Sequence, residues 1–148
     1  MKLSGKDRVQ ALDILKPGFQ VLTICENGYG KRTEIDEYRR TNRGGKGVIN
    51  IDASDRNGPV VTSLAVKDGD EIVCVTEKGM IIRSPVQEIR STGRNAQGVR
   101  IITLDEGDKI VSVDRLSPED LEAAEPPPPT AAPAGVMTAP KLPAPAAE

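Results

Sequence analysis

The sequence predicts an all-β fold of two consecutive four-stranded blades of propeller or pinwheel type, followed by a Pro/Ala-rich tail, and three observations carry that prediction. A shift of 51 positions aligns residues 9–51 with 60–102 without a gap, and a period of this length marks a stacked repeat architecture. Within each unit, short runs rich in Val, Ile and Thr are separated by Gly, Asn and Asp at matching offsets, the pattern of strands joined by tight turns. From about Glu119 the chain turns acidic, then runs through Pro126-Pro127-Pro128-Pro129 into Ala/Pro repeats; without apolar periodicity this stretch is expected to be disordered.

The units run over about 9–59 and 60–110, and identical pairs include Gly18/Gly69, Glu26/Glu77, Gly28/Gly79, Arg32/Arg83, Arg39/Arg90, Arg43/Arg94 and Gly47/Gly98. Val9, Val60 and Val111 fall on the same period, so a third unit begins near Lys109. In the second unit, residues 60–66 and 71–76 read as strands joined by Lys67-Asp68-Gly69-Asp70, and Lys78-Gly79 turns the chain into Met80-Ile81-Ile82-Arg83. The first unit has Asn27-Gly28 at that turn, a two-residue hairpin signal in which both positions tolerate φ > 0. Thr33-Glu34-Ile35-Asp36 and Ser84-Pro85-Val86-Gln87 each predict one capped helical turn, the second with Pro at its first position. A basic Gly-rich loop follows, then a short apolar strand at 48–51 or 99–102, which makes four strands per unit and a blade pattern.

Of 148 residues 37% are hydrophobic and 2% aromatic, so the core has to be built from Val, Ile and Leu. The length fits one domain, 1–118, with a tail at 119–148. No apolar run is long enough for a membrane helix, and Met1-Lys2-Leu3-Ser4-Gly5-Lys6 leads into no signal-peptide core, so a cytoplasmic location is expected. Cys25 and Cys74 lie in alternating apolar runs and read as packed strand thiols. The chain has no histidine and two cysteines, so no zinc site is expected. It also lacks the commonest general base, and no catalytic residue is assigned. Residues 1–118 hold 19 Lys and Arg against 17 Asp and Glu, whereas 119–148 hold one Lys against five acids. A mildly basic folded part and an acidic tail follow.

The two Gly-rich loops carry the functional signal. The first is Arg39-Arg40-Thr41-Asn42-Arg43-Gly44-Gly45-Lys46-Gly47, and the second is Arg90-Ser91-Thr92-Gly93-Arg94-Asn95-Ala96-Gln97-Gly98. Glycine lets the backbone approach a phosphate closely, and arginine forks fit phosphate oxygens bidentately. Lys31, Arg32 and Arg83 lie one strand upstream and Arg100 just downstream. The DNA-binding candidates are therefore Lys31, Arg32, Arg39, Arg40, Arg43, Gly44, Gly45, Lys46, Arg83, Arg90, Arg94 and Arg100. One such loop alone reads equally well as a solvated charged turn. Recurrence at one position of a repeat lines the arginines along a rim as a basic stripe. Single-strand binders need stacking platforms, and Phe19, Tyr29 and Tyr38 are the only aromatics, so duplex binding through the backbone fits better. No Walker-type phosphate loop is present.

Glu26-Asn27-Gly28-Tyr29-Gly30-Lys31-Arg32-Thr33, then Glu37-Tyr38-Arg39 and Arg43-Gly44-Gly45-Lys46-Gly47-Val48, resembles the C-terminal domain of the A subunit of bacterial DNA gyrase. Gly93-Arg94-Asn95-Ala96-Gln97-Gly98-Val99-Arg100 is similar to that family's blade motif too, and the resemblance covers roughly residues 1–116. It implies a fragment, the last two blades, of a six-bladed β-pinwheel that wraps duplex DNA for ATP-dependent negative supercoiling by a type IIA topoisomerase. ATP and Mg2+ are then expected only in the B subunit, the strand-cleaving tyrosine in the N-terminal part of the A subunit, and no cofactor in this chain. The family's box Q-[RK]-R-G-G-[RK]-G is met only as Thr41-Asn42-Arg43-Gly44-Gly45-Lys46-Gly47, without the glutamine and one basic residue. The alternatives are the corresponding domain of topoisomerase IV, or a propeller-like protein-interaction module with apolar anchors on an uncharged rim. The acidic tail either folds across the basic rim or stays an inert solvated end.

Overall fold

Alternation of β-branched residues fixes where strands form, and the turn glycines fix where they stop. In the computed structural model, which describes residue 3 and residues 5–124, β1 (Gln20–Cys25) and β2 (Tyr29–Glu34) form a hairpin, and β3 (Val60–Val66) follows after a long loop. β4 (Glu71–Thr76) and β5 (Ile81–Pro85) repeat the hairpin, followed by β6 (Val99–Arg100) and β7 (Ile110–Leu116). A short helix α1 (Pro118–Ala124) ends the described part.

The strands make two antiparallel sheets, ordered β3-β1-β2-β6 and β5-β4-β7. The blade is therefore not the repeat unit, as the sequence suggested. The first unit's hairpin is flanked on both sides by strands of the second unit: Gln20 pairs with Val66 on β3, and Tyr29 pairs with Arg100 on β6. β7, which opens the third unit, flanks β4 in the same way, with Cys74 opposite Val113. A sequence period counts residues but does not say which strands share a sheet.

Alternate residues of each hairpin point to opposite faces. Leu22 and Ile24 from β1 meet Ile72 and Cys74 from β4 in one cluster with Val66, Val86, Ile89, Ile102, Ile110 and Val113, so one face of the first sheet packs on the opposite face of the second. All ten are aliphatic or thiol side chains, as the scarcity of aromatics requires. Ala65 hands its carbonyl oxygen to Arg115 across the junction at 3.0 Å.

Four local expectations are corrected. The Asn27-Gly28 turn is not a two-residue hairpin: only Gly28 has positive φ (81°), and its N–H donates to the Cys25 carbonyl at 3.2 Å. Such a turn, closed by a left-handed glycine, gives the bulged hairpin, and Gly79 (φ 87°) repeats it with Thr76. The helical turns are 3-10, at Ile35–Glu37 and Val86–Glu88, without side-chain caps; Thr33, Ser84 and Pro85 remain in strands because the ladder reaches Glu34 and Pro85. Residues 48–51 form no strand: no strand of either sheet pairs with them among the described residues. Finally, the expected disorder from Glu119 is overridden at its start. Ser117 and Asp120 cap α1 reciprocally, Ser117 N–H to Asp120 Oδ2 at 2.9 Å and Asp120 N–H to Ser117 Oγ at 3.2 Å, with Pro118 as first helical residue. The rest of the predicted tail, 125–148, lies outside the described residues.

Candidate nucleic-acid interface

Strand β2 runs directly into a 3-10 turn and then releases the first basic loop into solvent. Arg39, Arg40, Arg43, Gly44, Gly45 and Lys46 are all exposed, and Gly44 turns the chain at φ 78°. Four cations on nine consecutive residues face outward, with no ion pair among the described contacts of their side chains.

The second loop is held instead of free. Its start runs beside β2, with the Arg32 N–H donating to Arg90 at 3.4 Å and the Thr92 N–H donating to Arg32 at 2.9 Å. Lys31, fully buried, donates its ammonium to the carbonyl of Gly93 at 2.8 Å and to that of Arg94. Burial and the nearby charge of Arg94 push the Lys31 pKa down, partly offset by Glu37. The loop's end lies on buried Asn57, whose side-chain amide donates to Gln97 at 2.7 Å, and Arg56 reaches Gly98 at 3.4 Å. Gly98 (φ 85°) crosses β2 so closely that a Cβ would meet the backbone of Gly30. Arg94, half-buried, donates to the Ile49 carbonyl at 2.7 Å and so ties the second loop to the segment that follows the first.

This placement sorts the candidates. Arg39, Arg40, Arg43, Lys46, Arg90 and Arg100 present exposed cations, and Gly44 and Gly45 shape the first loop. Lys31 and Arg32 do not, because both side chains are buried. Arg32 is 8% exposed; its guanidinium donates to Ile89 at 2.6 Å and pairs with Asp68 at 2.6 Å. Burial with internal partners makes both of them supports of the loop. Arg83 is paired with Glu71, whose carboxyl its hydrogen bond holds below the usual range, so its charge is partly neutralised. Arg94 divides its role between support and surface.

Sequence reasoning missed Arg56 and Asn57, which lie outside the aligned loops. Arg56 sits 4.6 Å from the centroid of the Tyr29 ring and Arg100 sits 5.4 Å from it, with Arg100 also donating to the Tyr29 hydroxyl at 2.8 Å. One aromatic thus orients two exposed guanidinium groups beside the second loop. The signal available was weak: Arg56 is the one arginine in the 52–58 turn. Among the described residues no group of His, Cys, Asp and Glu is arranged to hold a metal ion, and no helix is long and apolar enough to cross a membrane.

Hairpins flanked by strands of the next unit, each followed by a basic loop, define a β-propeller domain assembled by exchange of strands between repeats. Residues 20–67 and 70–117 each match the family described as DNA gyrase C-terminal domain, beta-propeller, and the chain belongs to that family. It is 42% identical over 127 residues to the A subunit of DNA gyrase from Neisseria gonorrhoeae, covering 82% of this chain. It spans only 14% of that relative's length. A solved structure described as "Structure of DNA gyrase A C-terminal domain" superposes with a TM-score of 0.61 at 31% identity, over 65% of this chain and 33% of the other. The C-terminal domain of DNA topoisomerase IV superposes with a TM-score of 0.66 at 23% identity, over 72% of this chain and 33% of the other, a likeness of fold alone.

Proposed function

We propose that this chain binds duplex DNA through its basic loops, as the C-terminal part of the gyrase A subunit, and helps wrap DNA for ATP-dependent negative supercoiling. The observation that carries the reading is the first loop, where Arg39, Arg40, Arg43 and Lys46 all face solvent beside a second loop fixed at the same position of the next repeat. Cations held at a regular spacing on a rigid edge follow a phosphate backbone without reading bases. The 42% identity to a DNA gyrase favours gyrase over topoisomerase IV. The partners are then duplex DNA, the rest of the A subunit, and the B subunit, in the cytoplasm with the nucleoid, with ATP and Mg2+ belonging to the B subunit. The arginines and lysine of this chain supply charge and position only.

Binding of the full chain to duplexes of unrelated sequence, measured against salt, tests this. With about six phosphates neutralised, log K against log salt slopes near about −5, and replacing Arg39, Arg40, Arg43 and Lys46 by Gln flattens the slope by about 3–4. A flat salt response, or binding confined to single strands, sinks the reading.

A further inference from the structure

We propose that Arg56 and Arg100, seated on Tyr29, form a second and preformed binding site for backbone phosphates of duplex DNA, with Tyr29 as its positioning residue. The site presupposes the duplex ligand proposed for the basic loops and lies outside them. Tyr29 on β2 stands opposite Arg100 on β6, and Arg56 enters from the turn at 52–58. The Arg56 guanidinium is 4.6 Å from the centroid of the Tyr29 ring and that of Arg100 is 5.4 Å from it, so both reach one stretch of phosphate backbone.

Each guanidinium keeps donors for a ligand. Arg56 directs Nε to the Asn57 side-chain oxygen at 3.1 Å and Nη2 to the Gly98 carbonyl at 3.4 Å, which leaves Nη1 without a partner among the described residues. Arg100 directs Nη2 to the Tyr29 hydroxyl at 2.8 Å, which leaves Nε and Nη1. Both arginines are exposed, and among the described residues neither pairs with a carboxylate, unlike Arg32, Arg83 and Arg115. Free N–H groups on an unneutralised fork suit phosphate oxygens.

Order separates this pair from the first loop. Asn57 is fully buried and donates to the carbonyls of Asp52 at 3.3 Å and Gln97 at 2.7 Å, so Arg56 rests on a fixed base. Arg39, Arg40 and Arg43 have no side-chain partner of that kind among the described residues and lose rotamer freedom when a phosphate fixes them. A guanidinium already held in place gives up less entropy on binding. The blade itself does not require the cluster. The 51-residue shift converts Tyr29 into Met80 and Arg56 into Gly107, yet the second hairpin closes through the same glycine turn, with the Lys78 N–H donating to Asp108 at 3.1 Å. Arg90 begins the second loop beside Arg32, whereas Arg100 follows its end beside Tyr29. Three residues of β2 separate these places by about 10 Å, so the loop is flanked by cations that touch different phosphates.

Duplex titrations of the full chain across a range of salt concentrations test the site, with circular dichroism as the check on folding. Replacing Arg56 and Arg100 together by Gln is expected to lower the salt slope by about 1.8 and the affinity by about 60-fold at roughly 0.1 M salt. Tyr29→Leu keeps both charges but removes their seat, so the slope stays at the wild-type value while affinity falls at least about fivefold. Tyr29→Phe keeps the ring and recovers most of that loss. A double arginine variant with wild-type slope and affinity overturns the site, and leaves the loops as the binding surface if their own variants still flatten the slope. Wild-type affinity in Tyr29→Leu, or a slope that falls with it, overturns the positioning role of the ring. A wild-type chain that binds no duplex overturns this site and the reading beneath it together.

Discussion

The buried ammonium of Lys31 donates to the backbone carbonyl of Arg94, 63 residues further along, so a cation of one repeat fixes the basic loop of the next. With Gly93 as second acceptor, this contact holds the loop at 90–98, which alone reads in sequence as a solvated charged turn. Lys31→Met keeps the apolar stem but removes both donors. It is expected to cost about 1–3 kcal/mol, the loss of two hydrogen bonds from a charged donor. Urea unfolding reads the cost, and faster amide exchange at 94–98 reads the loosened loop; protection equal to wild type would remove Lys31 from that role.

Gly47 and Gly98 are repeat equivalents with opposite sensitivity. A Cβ on Gly98 would press on the Gly30 backbone at φ 85°, whereas a Cβ on Gly47 meets nothing within 4 Å. Gly98→Ala is expected to destabilise by about 1–3 kcal/mol. Gly47→Ala stays within about 0.5 kcal/mol. Denaturant midpoints of the two single variants check the difference, and equal shifts would contradict it.

Arg56 and Arg100 share Tyr29, which holds both guanidinium groups beside the second loop. Arg56→Ala is therefore expected to weaken duplex binding at low salt and to lower the salt slope by about 0.9, the value of one phosphate contact. An unchanged slope in filter-binding or fluorescence titrations would place Arg56 off the DNA path.

Cys74 is fully buried, and desolvation raises its thiol pKa from 9.0 to about 12; Cys25 is raised by the same cause. Between these values the unfolded thiol has lost its proton and the folded one has not, so stability falls as pH rises from about 9 towards 12. The loss for the Cys74 thiol reaches about 1.4 kcal/mol per pH unit. Cys74→Ala should lower stability at neutral pH but flatten this alkaline decline. In the folded wild type neither thiol should react with iodoacetamide at pH 8, and rapid alkylation there would contradict the burial.

Much of the fold was legible because period and alternation are local properties. β1, β3, β4 and β5 follow from β-branched runs bounded by glycine turns, and the first basic loop is exposed as its composition suggested. The helix at Pro118–Ala124 was hidden because the acidic start of the tail was read by composition, although Ser117-Pro118-Glu119-Asp120 spells a helix start. The exchange of β3 and β6 into the sheet of the preceding unit was not legible, because pairing across some 40 to 70 residues depends on how hairpins stack.

What the sequence determined by itself is the 51-residue period, the two hairpins and the basic, glycine-rich character of the loop that follows each. What only the tertiary structure decided is which cations remain for a partner. Lys31 and Arg32 are as basic as Arg39 and Arg43, but the alternation of β2 and the approach of the next repeat place them inside, where carbonyls and Asp68 satisfy them. A charge in a sequence states what a residue carries; the packing of the neighbouring repeat decides whether it is desolvated and internally paired or free to meet a phosphate.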